Sequence, residues 1–302
     1  MGNGFSRGTV RHTDPVTKRA LVLGGGGITG IAWETGLLAG LAEAGVDLTT
    51  ADRVVGTSAG SIVGAQVTSA IPLEELYRRQ LLTPAELGDT APLASIGPAV
   101  AARFAVALLR ARGDVERFGR ILGRQAVALT AKGRTPTVAE RYEQVAQRIG
   151  GLEWTDRDLV VTAVDVETGR LVAFGPRGPH PEVSLEDAVN ASCAVPCVYP
   201  PIPIGGRTYV DGGARSGANA DLAAGADTVV VLSPLDRGIG PIRSATRQLE
   251  ELGVPHVVIT PDAGSRAAIG KNVLDPAARP PSARAGRAQA PAHVEQLRAL
   301  WG

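Results

Sequence analysis

The sequence predicts an α/β fold on a largely parallel sheet, with a helical insertion. Short apolar runs at 20–23, 53–55, 159–164, 228–232 and 257–259 have the length of buried strands. Helical stretches alternate with them, as the crossovers of parallel strands require. Residues 73–149 break the alternation and read as helices alone.

Composition bounds the rest. Hydrophobic residues make up 44% of the 302 positions and charged residues 20%, enough to pack a large core. Lys and Arg number 31 against 30 Asp and Glu, so a net charge of +1 gives no general attraction to nucleic acid or anionic lipid. Lysine occurs only at Lys18, Lys132 and Lys271; arginine for lysine, with abundant Ala, Gly and Pro, matches the usage of GC-rich bacterial genomes. Cys193 and Cys197 are too few for a disulfide framework and lack partners for zinc, so they read as small buried residues. No run is long and apolar enough to span a membrane.

Residues 1–17 form a polar N-terminal extension, broken by Pro15, without the apolar stretch of a secretory signal. Met1-Gly2-Asn3-Gly4-Phe5-Ser6 fits a myristoylation pattern by coincidence. The main domain is expected over 18–262. Strand 20–23 stops at four glycines, and a helix follows over 31–45, with Leu37, Leu38 and Leu41 at helical spacing and Gly45 as its stop. Strand 53–55 leads into a helix over 59–69. The insertion, about 73–150, carries helices at 74–82, 99–111, 115–130 and 137–149. In the second of these, Phe104, Leu108 and Leu109 with Arg103, Arg110 and Arg112 read as a packed cap helix with solvated arginines in preference to a lipid-binding face. Strands 159–164 and 170–174 are joined by a turn at Glu167-Thr168-Gly169. Helices at 219–224 and 242–252 separate the last strands. Residues 261–291, rich in Pro, Ala and Arg, read as a loose linker, and 263–302 as a tail ending in a short helix near 292–301.

Strand 53–55 runs into Gly56-Thr57-Ser58-Ala59-Gly60 and then a helix. In such a turn the serine occupies a sharp corner, and Gly56 and Gly60 avoid collision with the neighbouring strand and helix. Ser58 Oγ is then exposed beside a helix N-terminus that favours developing negative charge. The glycine run Gly24-Gly25-Gly26-Gly27-Ile28-Thr29-Gly30 lets backbone N–H groups face an approaching oxygen, as an oxyanion hole requires. The same run satisfies a dinucleotide fingerprint at Gly25, Gly27 and Gly30. That reading needs an acid at the end of the next strand, where the Gly-Thr-Ser turn stands instead. A phosphate-binding Walker loop is absent.

Of the histidines, His12 and His293 lie near the ends, His180 between Pro179 and Pro181, and His256 at a strand start; nothing singles out a triad member. Asp211, in Tyr209-Val210-Asp211-Gly212-Gly213, sits at a strand end, where ligands gather in α/β folds. Gly212 and Gly213 allow another segment to approach it. An Asp-Gly-Gly surface turn is the competing reading.

Taken together, the glycine loop, Gly-Thr-Ser-Ala-Gly and Asp-Gly-Gly resemble the defining motifs of the patatin-like phospholipase family, over about 18–262. Ala191-Ser192-Cys193-Ala194-Val195-Pro196 is similar to a fourth motif of that family. The resemblance implies a three-layer α/β/α sandwich and a metal-independent, cofactor-free hydrolase of lipid acyl esters. Ser58 would be its nucleophile and Asp211 its base, with Gly25, Gly26, Gly27, Gly30 and Ala59 around the oxyanion. A burial-raised Asp211 pKa and direct contact with Ser58 are the physical requirements for that dyad. Thr29 stands where the family often has Arg or Lys. The expected partners are a lipid or acyl-ester substrate and a transient membrane surface, not nucleic acid, and the expected location is cytoplasmic or peripheral to a membrane. Acyl transfer at the same site, a histidine-dependent α/β-hydrolase and a non-catalytic lipid-binding protein are the alternatives.

Overall fold

The computed structural model describes residues 18–87, 95–235, 238 and 240–302. The N-terminal extension, its myristoylation pattern and His12 lie outside them. The strands are β1 (Arg19–Leu23), β2 (Arg53–Thr57), β3 (Asp158–Asp165), β4 (Leu171–Phe174), β5 (Ile202–Ile204), β6 (Arg207–Asp211), β7 (Thr228–Leu232) and β8 (His256–Ile259). The α-helices are α1 (Gly27–Glu43), α2 (Ala59–Val67), α3 (Leu73–Gln80), α4 (Pro98–Ala111), α5 (Val115–Thr130), α6 (Val138–Ile149), α7 (Leu185–Ser192), α8 (Ala245–Leu252), α9 (Ala263–Ile269), α10 (Arg279–Gln289) and α11 (Val294–Trp301).

β3, β2, β1, β7 and β8 lie side by side in parallel, while β4 and β6 pair antiparallel with β3 and β5 pairs antiparallel with β6. Alternate residues serve opposite faces. Leu21, Leu23, Val54, Val230 and Leu232 join the core beneath α1, α2 and α7. Ala20, Val22, Val55, Val229 and Val231 pack under Ala245 and Leu249 of α8. Full burial on both faces explains why these strands read as continuous apolar runs. Helices on both faces make a three-layer α/β/α sandwich, and the insertion contributes α3, α4, α5 and α6.

Two expectations need correction. α1 starts at Gly27, not at 31, with Gly26 as its N-cap, so the second half of the glycine run is helical. Residues 261–291 are not a loose linker: α9 and α10 follow directly, and α10 packs along α1. The contact is made through small residues. A Cβ on Gly36 would strike the Ala283 carbonyl, and one on Gly286 would strike the Trp33 carbonyl. Backbones this close need glycine and alanine, so α10 shows no large apolar stripe. Pro280 and Pro281 fall in its first turn, where a missing N–H costs nothing.

Candidate active site

Two strands end against each other at the site. Val161 and Thr162 of β3 pair with both β2 and β4, and Ala163 and Val164 pair with both β4 and β6. A residue has one partner on each edge, so β2 and β6 share the edge of β3 opposite β4. Thr57 stands across from Thr162 and Asp211 across from Ala163, the next position. Running in opposite directions, β2 and β6 bring their C-terminal ends together, and with them Ser58 and Asp211.

Ser58 follows β2 at φ 52, ψ −116, a region that side chains rarely occupy. Surrounding bonds hold it there. Its N–H donates to Ser192 Oγ at 2.9 Å. Its carbonyl accepts from Ser61 N–H at 2.9 Å, Ser61 Oγ at 2.6 Å and Cys193 Sγ at 3.3 Å. Its hydroxyl makes no capping bond to α2 and is close enough to the Asp211 carboxyl to pull its pKa down. A Cβ on Gly60 would strike the Leu23 carbonyl, the steric need anticipated for that glycine.

Asp211 is buried, with 4% of its surface exposed. Desolvation pushes its pKa up to about 6, against the lowering pull of the Ser58 hydroxyl, the Gly213 N–H and the Arg141 charge. The Gly213 N–H donates to its Oδ1 at 2.7 Å. A residue that the sequence reading missed, Asn219, locks the arrangement. Its buried amide donates to Thr57 Oγ1 (3.1 Å), Thr162 Oγ1 (3.4 Å) and the carbonyls of Gly212 (3.3 Å) and Ser216 (3.0 Å). The left-handed φ of 51 at Asn219 is the only local hint, and it is invisible in sequence.

The glycine loop lies against the Ser58 turn. Gly60 N–H donates to the Gly24 carbonyl at 3.0 Å, and a Cβ on Gly25 would fall 3.5 Å from Ser58 Cβ. Two of the anticipated oxyanion donors are already engaged: Gly25 N–H with the Gly217 carbonyl (2.7 Å) and Gly30 N–H with the Gly26 carbonyl (2.8 Å). Their part is to shape the loop. Among the described residues, no partner stands against the N–H groups of Gly26, Gly27 and Ala59.

A cavity of about 30 Å³ is lined by Gly27, Ile28, Ser58, Ala59, Arg141 and Tyr199, among others. A hollow of about 730 Å³ opens at the other end of the sheet, near Arg19, Arg53 and Asp158, away from Ser58. Among the described residues, no histidine lines the Ser58 cavity. His256 pairs with Val229 near the start of β7, at the far end of the strands, and its Nδ1 contacts the Val254 carbonyl at 2.7 Å. His180 faces Glu182, and His293 contacts Gln289. Among the described residues, no group of three or more His, Cys, Asp or Glu side chains is placed to hold a metal, and no helix is long and apolar enough to cross a membrane.

A family model described as Patatin-like phospholipase matches residues 21–224. No curated protein matches the chain. Among solved structures, VipD from Legionella pneumophila is similar at 14% identity and a TM-score of 0.45, over 93% of this chain and 67% of that one. The type III effector protein ExoU is similar at 17% identity and a TM-score of 0.42, over 94% of this chain and 53% of that one. The chain thus spans about half the length of ExoU.

Proposed function

The chain belongs to the patatin-like phospholipase family, and from that premise we propose that it hydrolyses lipid acyl esters through a Ser58–Asp211 dyad. The reading is supported by the head-to-head meeting of β2 and β6, which brings Ser58 into the neighbourhood of a buried carboxyl. An ordinary aspartate, with a pKa near 3.9, is a weak base for a hydroxyl. Burial brings Asp211 to about 6, so it is ionised at neutral pH yet far better matched to proton transfer.

In the first half-reaction Ser58 Oγ bonds the ester carbonyl carbon while its proton passes to Asp211. The N–H groups of Gly26, Gly27 and Ala59 receive the oxyanion. Collapse breaks the bond to the alcohol oxygen, which leaves with the proton from Asp211. Water then attacks the acyl-serine, Asp211 takes its proton, and return of that proton to Ser58 releases the fatty acid. At about 30 Å³ the cavity holds roughly one water, so an acyl chain enters as a wall is displaced. Leu274, on the segment between α9 and α10, is one such wall.

The same reading gives α4 a role at the lipid surface. Phe104 and Leu108 pack towards α5, with the Phe104 and Phe118 rings 6.3 Å apart. Val106 and Leu109 stay exposed, Leu109 at 78%. The helix has no carboxylate, and Arg103, Arg110 and Arg112 on or next to it suit an anionic bilayer. A fluorophosphonate reagent tests the core of the proposal: it should label Ser58 in the folded protein, and failure to label would refute it.

A further inference from the structure

The cavity beside Ser58 has two cationic walls that the dyad does not require. Arg141 of α6 is 6% exposed. Its guanidinium lies over the Tyr199 ring, 3.9 Å from the centroid. Its hydrogen bonds go to the Gln144 side-chain oxygen at 3.2 Å and the Cys193 carbonyl at 3.1 Å, both neutral, and its Nε has no partner. Arg148, further along the same helix, lines the same cavity and also the small one beyond Ile28 and Ile31. The glycine loop adds no charge here, since Thr29 turns its hydroxyl to the Gly26 and Val273 carbonyls.

A guanidinium is costly to bury among neutral partners, and the cost is offset when an anion docks against it. Asp211 feels the charge, but no hydrogen bond joins it to Arg141 among the described residues, and its Oδ1 accepts from Gly213 N–H. The planar fork of arginine matches phosphate oxygens, and stacking on Tyr199 fixes its orientation in advance. Resting on the hydrolase reading above, we propose that Arg141, seconded by Arg148, is a phosphate subsite beside Ser58. It holds the headgroup phosphate of a glycerophospholipid and sets a preference for phosphate-bearing over neutral esters.

The test is turnover of an acyl-matched pair, a short-chain phosphatidylglycerol and the corresponding diacylglycerol in neutral detergent, by wild type, Arg141→Gln and Arg141→Lys. The ratio of kcat/KM for the phosphate-bearing over the neutral substrate should fall roughly 10- to 100-fold in Arg141→Gln, the scale of a charged hydrogen bond. Arg141→Lys should restore part of it. An unchanged ratio, or an equal fall on both substrates, overturns the subsite.

A wild-type arm does not depend on any variant folding. Glycerol 3-phosphate should slow fluorophosphonate labelling of Ser58 saturably, and glycerol should not. Equal protection by inorganic phosphate overturns the headgroup assignment, and protection by none of the three overturns the subsite. If the hydrolase reading fails, wild type neither labels nor turns over. Calorimetric binding of glycerol 3-phosphate to wild type, lost in Arg141→Gln, then decides the subsite independently.

Discussion

Ser58 and Asp211 meet because the strands that carry them end against each other on one edge of β3, with Thr57 across from Thr162 and Asp211 across from Ala163. Neither reaches the other by a loop excursion, so the pair is as rigid as the sheet. Ser58→Ala should lower kcat by on the order of a millionfold, the scale of losing a serine nucleophile, and Asp211→Asn by about a thousandfold, the middle of the range for a positioned base. His256→Ala and His293→Ala should keep wild-type turnover. Initial rates on a soluble acyl ester separate the two pairs, and collapse in either histidine variant would point to a triad.

The titration of Asp211 should appear twice. Activity should rise through a limb near pH 6 as the carboxyl ionises and level off above it. Stability should move oppositely. The folded-state pKa lies above the unfolded value, so the folded protein binds the extra proton between them and loses stability as pH rises from about 4 to about 6. The full cost above that window is about 3 kcal/mol. Asp211→Asn should therefore raise the Tm at pH 8 and change it little at pH 4, as scanning calorimetry would report.

Asn219→Ala should destabilise the fold by roughly 2–3 kcal/mol, since several buried acceptors lose one shared donor. It should also lower kcat more than it raises KM, because Asn219 ties the C-terminal ends of β2 and β6 to Thr162 of β3. Denaturant midpoints alongside steady-state kinetics check both. A stability loss with unchanged kcat would make Asn219 purely structural.

Val106→Asp with Leu109→Asp should weaken co-sedimentation with anionic vesicles by at least about tenfold, on the scale of two apolar side chains leaving a bilayer. Turnover of a water-soluble ester should remain. Unaltered vesicle binding would remove α4 from the lipid surface.

Legibility in the sequence followed physical locality. The Ser58 corner was readable because a strand, two glycines and a helix sit within a few residues. The insertion helices were readable from their amphipathic spacing. β5 was not, since Pro203 inside a three-residue strand masks it, a residue tolerated only at a sheet margin. α10 was hidden because its contact with α1 runs through Ala283 and Gly286, which carry no periodic signal. Asn219 and Arg141 escaped for another reason: a polar residue becomes part of a site only when segments distant in the chain enclose it. The availability of Gly26 over Gly25 and Gly30 depends on which carbonyls lie nearby, a tertiary matter.

The left-handed corner at Ser58 sets durability against chemistry. Glycine would occupy φ 52 without the roughly 1–3 kcal/mol that such backbone costs a side chain. A Ser58→Gly, Asp211→Asn double variant would lose the corner strain and the buried charge together, so it should melt higher than the wild type while being inert. Any library of this chain sorted by expression or heat tolerance would then enrich dead molecules at these two codons. Only a sort on turnover would retain the living ones.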